Sequence, residues 1–437
     1  MAWYWAGSIL LALAIVPLAL GVPVFVAFLF ANAIGVFIFM NGTQGLIQLV
    51  SNGTVSISSF LLVPVPLFIL MGEIFFHAGL AVRVFDALDA VFGGIKGRLS
   101  YLCVTSGTVF ATLTGTSMAS AAMMGSMLVP EMNRRGYKSK MSIGPILGSG
   151  GLAMIIPPSA LAVLLGSLAR IDIGALLLAG IMPGLVLALL YIALIYLQVR
   201  LDPEAAPSYR TEPVPMKTKL RLLATNVLPM GLVIVAVIGT IIAGIATPSE
   251  SAAFGVFGVL ILTLLFRKLS WEVLRKSLTG TVKVTVMVFM IIIGSSTFSQ
   301  ILAFSGASSG LVAWATQIEV APVTMLLLMF LVLLFLGMFL DQVSQMMLTL
   351  PVFMPLAIAL GFDPIWFGVV MLLAMEISLT TPPFGLLLFV MLGVAPKGTT
   401  LSEVAIAGAP YIACSLILLG LLIAFPGIAI GLPELVR

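Results

Sequence analysis

Apolar runs of membrane-spanning length follow one another from Trp3 to Ala424 with only short polar interruptions, and this limits the chain more than any other feature. About 20 apolar residues in a helix span the hydrocarbon layer, where every backbone N–H and C=O must be satisfied within the protein. The runs are continuous rather than alternating, so helices are expected and a barrel is not. Composition agrees: of 437 residues, 61% are hydrophobic and 8% charged, whereas a water-soluble domain carries about 25% charge. A soluble globular protein is excluded, and an all-α polytopic membrane protein is predicted.

The net charge of +4 and the pI near 9.1 do not point to nucleic acid. The basic residues sit in short clusters between apolar runs, where the positive-inside rule reads them as cytoplasmic loops. Cys103 and Cys414 lie far apart in separate apolar runs, which suggests buried small residues and no disulfide or metal knuckle. The N-terminal segment lacks a basic leader and reads as a first span, with Trp3, Tyr4 and Trp5 at the lipid boundary.

Prolines reveal an internal repeat. Pro23 and Pro248, Pro130 and Pro355, Pro157 and Pro382, and Pro158 and Pro383 are each 225 residues apart. Charge supplies an independent criterion. Segment 41–58 has no Lys or Arg, while its counterpart 266–283 carries Arg267, Lys268, Arg275, Lys276 and Lys283. The bias then reverses: Arg83, Lys96 and Arg98 in 83–98, and Arg134, Arg135, Lys138 and Lys140 in 132–140, have no basic counterparts in 308–323 and 357–365. Equivalent loops on opposite sides mean two repeats of inverted topology. The lone pair Arg170 and Lys397 cannot both obey the rule. The first repeat is expected over 1–200, a polar, proline-rich cytoplasmic linker over 201–225, and the second repeat over 226–437.

Two segments should enter the membrane without crossing it. Residues 99–131 are apolar but flanked by basic clusters on both sides, and they are too few for two full spans. They fit a re-entrant helical hairpin that turns at TLTGTSMAS, residues 112–120. Its partner is expected over 322–361, turning near GMFLDQVSQ, residues 337–345. After each hairpin comes an apolar helix broken by Pro-Pro, over 141–169 and 364–394. A Pro-Pro pair removes helix hydrogen bonds and frees backbone carbonyls, which lipid tolerates only where they line a polar cavity. Eight ordinary spans complete the pattern, four in each half: 4–20, 22–40, 58–81 and 174–199, then 226–245, 249–266, 284–304 and 404–425. Ten crossings put both termini outside.

Paired broken helices point to a transport site. Small cations need oxygen ligands, which hydroxyls and unwound carbonyls supply without bringing a full charge into lipid. One candidate sodium site comprises Thr114, Gly115, Thr116 and Ser117 at the first hairpin tip with Gly150, Gly151 and Ser159. The other comprises Gly337, Asp341 and Ser344 with Thr380 and Thr381. Asp341 reads equally as a helix N-cap, and the two roles are compatible. An anionic substrate is expected between the tips, held by Thr116, Ser117, Ser159 and Thr381. Glu73, Glu250 and Glu376 are further acids at membrane depth, with Glu376 one turn before the second break. His77, the only histidine, reads mainly as structural.

Enzyme chemistry lacks its parts. A serine protease needs a Ser brought to a His, a metalloprotease needs HExxH and an aspartyl protease needs two neighbouring Asp. The chain is therefore read as a non-enzyme.

The runs FATLTGTSMASAAMMGSMLVPEM, RRGY, GSGGLAMIIPPS, GMFLDQ and TTPPFGLLLFV resemble those of the large membrane subunit of TRAP transporters, the tripartite ATP-independent periplasmic transporters. The resemblance covers essentially the whole chain. It implies a sodium-driven, elevator-type symporter of the bacterial inner membrane. It also implies a separate small four-helix membrane subunit, a periplasmic substrate-binding protein, and an organic acid such as a C4-dicarboxylate or a sialic acid as substrate. Thr114 and Thr116 stand where some relatives have serines. A self-sufficient sodium/carboxylate symporter of a related fold is the alternative, and a passive channel leaves the paired breaks unexplained.

Overall fold

The computed structural model describes residues 2–93, 95–114, 117–207, 214–317 and 320–436, and every regular element among them is helical. The first half contains α1 (Trp3–Ala19), α2 (Val24–Phe39), α3 (Thr43–Ile57), α4 (Pro64–His77), α5 (Leu80–Phe92), α6 (Arg98–Thr114), α7 (Ser117–Arg134), the single turn α8 (Ser139–Ser142), α9 (Gly144–Ile155), α10 (Ala160–Ala169) and α11 (Ile173–Leu201). After the connection come α12 (Met216–Leu222), α13 (Leu228–Ile242), α14 (Pro248–Leu265), α15 (Trp271–Phe304), α16 (Ala307–Gln317), α17 (Pro322–Gly337), α18 (Gln342–Ala359), α19 (Pro364–Thr380), α20 (Leu386–Val394), α21 (Leu401–Ala424) and α22 (Gly427–Val436). Seven described helices are long and apolar enough to cross a membrane, or eight with the bent pair Ser139–Ile155 and Ala160–Ala169 taken as one span.

The element order recurs at the spacing of the prolines. Residue 117, which opens α7, matches residue 342, which opens α18; the break between α9 and α10 matches that between α19 and α20. Besides the short α8 and α12 and the C-terminal α22, three helices were not anticipated: α3, α5 and α16. They obey the same spacing, since α5 matches α16 and α3 matches the first part of α15. Polar residues in α3 and charged ones in α5 had made these segments read as loops. Asn52 of α3 donates to Gln300 of α15, which ties the polar face of α3 to its neighbour. Within the expected linker, the chain is helical from Met216 onward and runs into α13 through one wide π-type turn. Lys219 there donates to the Val91 carbonyl at 3.0 Å.

Two layers follow from the contacts. α9, α11, α19 and α21 form a centre against which the hairpins α6/α7 and α17/α18 pack, while α2, α4, α13, α14 and α15 pack among themselves as a frame. The layers meet where α4 touches α6 and α10, and where α15 touches α18. Lipid provides no hydrophobic drive between helices, so close packing does the work. Gly180 of α11 illustrates it: a Cβ there would collide with the Ile155 carbonyl at the end of α9. Large apolar side chains such as Leu189, Val235 and Phe257 are exposed on the outside, as lipid-facing residues should be.

Candidate functional site

Both helix breaks have a local cause, and the first has a polar side-chain cap. Helix α9 stops at Ile155, ahead of Pro157 and Pro158, and Ser159 restarts the chain by accepting a bond from the Ala162 N–H at 3.2 Å. The second break runs from Thr381 to Gly385, where the Gly385 N–H bonds back to the Thr381 carbonyl. The two breaks differ in surroundings. Residues 156–159 are buried, whereas Pro382, Pro383 and Phe384 are exposed. Phe384 lies against Phe339 of the second hairpin turn, with ring centroids 5.3 Å apart.

The structure brings part of the first predicted cluster together. Ser117, at the start of α7, is fully buried and donates to the Glu376 carboxylate at 3.1 Å. Gly150 packs toward the Ser117 carbonyl, and Gly151 lies so close to Glu376 that any Cβ would overlap the carboxylate. Glu376 therefore belongs with the first hairpin tip, although its position in sequence beside the second break had associated it with the other site. Gly115 and Thr116 lie outside the described residues, as does the side chain of Thr114. Ser159 acts as the cap of α10.

The second cluster is more dispersed. Asp341 is the N-cap of α18: it accepts the Val343 and Ser344 N–H groups at 3.0 and 3.2 Å, and the Ser344 hydroxyl. Thr380 and Thr381 donate back to the Ile377 carbonyl at 2.9 and 2.7 Å. Gly337 faces a pair the sequence had not singled out. Ser378 donates to Gln345 Oε1 at 3.2 Å, and Gln345 Nε2 donates to the Leu333 carbonyl, crossing the hairpin from α18 to α17. A Cβ on Gly337 would strike Ser378 and crowd Gln345. Thr380 also borders a small void behind the hairpins, with Glu376, Tyr191, Tyr411 and Ser415.

Between the layers is a cavity of about 390 Å³. Its walls come from α4 and α15 of the frame, from Met118 at the first hairpin tip, from Asp341, Gln342 and Val343 at the second, and from Ala160, Leu161 and Leu164 at the start of α10. Of the predicted site residues described, Asp341 lines it directly, while Ser117 and Ser159 are the immediate neighbours of lining residues. The lining is mostly apolar, with a few convergent polar groups, the composition of a small-molecule site. Glu73 and His77 of α4 also line it, paired through Nε2 and Oε2 at 3.1 Å. The sequence carried a signal for that pair in its i,i+4 spacing on a helix.

Similarity to known proteins agrees with this architecture. Residues 11–428 match the family described as "Tripartite ATP-independent periplasmic transporter, DctM component". A C4-dicarboxylate TRAP transporter large permease protein of Pseudomonas aeruginosa is 31% identical over 86% of each chain. An ectoine TRAP transporter large permease protein of Halomonas elongata is 30% identical over 98% of this chain and 99% of its own. A sialic acid TRAP transporter large permease protein of Vibrio cholerae is 30% identical over 95% of each. The crystal structure of the Alcanivorax borkumensis YdaH transporter, described as having an unusual topology, superposes with a TM-score of 0.64. It covers 89% of this chain and 90% of that one at 14% identity, a likeness of fold.

Proposed function

The chain belongs to the DctM component family of the tripartite ATP-independent periplasmic transporters, and from this we propose that it carries an organic acid across the bacterial inner membrane, driven by a sodium gradient. As a large permease of that family it is a multi-pass membrane protein that works with a small membrane subunit and a periplasmic binding protein. The acid, of the C4-dicarboxylate or sialic-acid type carried by its relatives, would be delivered by the binding protein and occupy the cavity between the layers. The observation that carries this reading is that one cavity meets both hairpin tips, the start of a broken helix and two frame helices. A substrate there touches α7 and α18 of the two hairpins and α10 of the first broken helix, parts of the body proposed to carry it.

In this reading the two halves, 1–200 and 226–437, have opposite orientations, and residues 201–225 join them on the cytoplasmic side. Sodium travels as co-substrate. Ser117 and Glu376, against which Gly150 and Gly151 of α9 pack, offer hydroxyl and carboxylate oxygens at the first tip, with Thr114, Gly115, Thr116 and Ser159 proposed to complete the set. Asp341 and Ser344, with Gly337, Thr380 and Thr381, form the second site, to which Gln345 and Ser378 add oxygens. Of the substrate contacts proposed from the sequence, Ser117 and Ser159 adjoin residues that line the cavity, and Thr116 and Thr381 are proposed to join them. The hairpins and broken helices move as one body against the frame, and the small subunit steadies the frame.

Reconstitution tests this. The chain is placed in liposomes with and without its small subunit and binding protein, a sodium gradient is applied, and labelled organic acids are followed. Uptake that needs all three proteins and sodium supports the reading. Sodium-driven uptake by the chain alone would instead identify a self-sufficient symporter, and uptake indifferent to sodium would remove the coupling.

A further inference from the structure

His77 is the chain's only histidine, and the cavity brings it into play. It ends α4 with Nε2 held 3.1 Å from Glu73 Oε2, and the two side chains keep 27% and 28% of their surface exposed. Glu73 in turn lies against Gly280 of α15, where a Cβ would overlap its carboxylate. The pair is thus seated between the frame helices and open to the cavity. With Nε2 committed to Glu73, Nδ1 is the nitrogen left for a ligand.

The charged groups of the helices packed on α4 have other surroundings among the described residues. Across the cavity the one facing titratable group among the lining residues is Asp341, and the residues contributed by α7, α10 and α15 are uncharged. Of the helices packed on α4, α15 pairs Lys276 with Glu272 and exposes Arg275 and Lys283. Glu250 of α14 closes its own capping box. On α5, Arg83 sits over the Phe266 ring, Asp86 is exposed and Asp89 pairs with Arg98 of α6. With neutral His77 the charged groups of the wall are two carboxylates, which repel an anion. Protonating His77 supplies the wall's one cation and a second N–H donor.

We propose that His77, positioned by Glu73, is a specificity-determining contact on the frame side that takes a carboxylate of the transported acid through Nδ1–H, so that loading improves as His77 protonates. This rests on the cavity being the substrate pocket. A single histidine permits a direct test. The full chain, labelled at the imidazole and purified through a histidine-free tag, gives one imidazole signal by NMR. Radiolabelled succinate, N-acetylneuraminate and ectoine are first screened for uptake in liposomes holding all three proteins.

For a transported probe, the imidazole signal should shift on binding. KM should increase with pH across the range of His77 titration. His77→Gln should raise KM at acidic pH about tenfold, the worth of a charge-assisted hydrogen bond, flatten the pH profile and leave the maximal rate near that of the parent. Glu73→Gln should raise KM less than His77→Gln does while keeping the imidazole signal responsive to the probe. If a transported probe leaves the imidazole unmoved and His77→Gln keeps KM and its pH profile, the proposal fails and the proposed function stands. If none of the acids is taken up, both fail.

Discussion

Gly151 and Glu376 hold equivalent positions 225 residues apart and lie against each other, the missing side chain of one making room for the carboxylate of the other. A contact at the spacing of the paired prolines is what the proposed two-fold relation between the halves would produce at its axis. Only glycine fits there, because the carboxylate occupies the place of a Cβ. Gly151→Ala should therefore destabilise the protein by about 1–3 kcal/mol, the usual cost of overpacking. Thermal unfolding in detergent measures this. Adding Glu376→Ala should recover part of the loss, giving a non-additive double-mutant cycle.

Asp341 combines a cap with a proposed ligand, and two substitutions separate them. Asn caps a helix as well as Asp does, whereas Ala costs about 0.5–2 kcal/mol. Asp341→Asn should keep the melting temperature and raise the sodium concentration needed for half-maximal uptake. Asp341→Ala should lower both stability and sodium affinity, and affect sodium more than substrate. Unchanged sodium dependence in both variants would take Asp341 out of the site.

Opposite orientation of the halves can be read by chemical labelling. Asn133 and Ile358, 225 residues apart and both exposed, end equivalent hairpins. With the buried Cys103 and Cys414 replaced by Ser, a membrane-impermeant thiol reagent added outside intact cells should label Ile358→Cys and not Asn133→Cys. Labelling of both from one side would contradict inversion.

Asp202, just beyond α11, accepts bonds from Lys140 at 2.8 Å and Lys138 at 2.9 Å. These hydrogen bonds hold its carboxyl down at about 2, below the ordinary 3.8. Because the folded value is depressed, its contribution is present above pH ~3.8 and lost as pH falls toward 2. Asp202→Asn should lower the melting temperature slightly at pH 7, and the difference from the parent should shrink on acidification through that window.

Long apolar runs made the membrane-length helices legible and the Pro-Pro pairs made the two breaks legible, because each reflects a local rule of chain and lipid. Helices α3 and α5 were hidden because they carry polar and charged residues that pair with neighbours, Asn52 with Gln300 and Asp89 with Arg98, and the short α16 is interrupted by Ser and Thr, so no apolar run marks them. The Ser117–Glu376 bond joins residues 259 positions apart, and nothing local in either segment encodes it. Ser378 and Gln345 were overlooked for the same reason, being ordinary polar residues until the hairpin folds onto α19.

The central claim is that the tips and breaks hold sodium, and equilibrium binding of radiolabelled sodium to the purified chain tests it most directly. The account predicts saturable binding that potassium does not displace, weakened by Ser117→Ala and by Asp341→Asn, each affecting its own site. No saturable sodium binding, or binding indifferent to both substitutions, would contradict it.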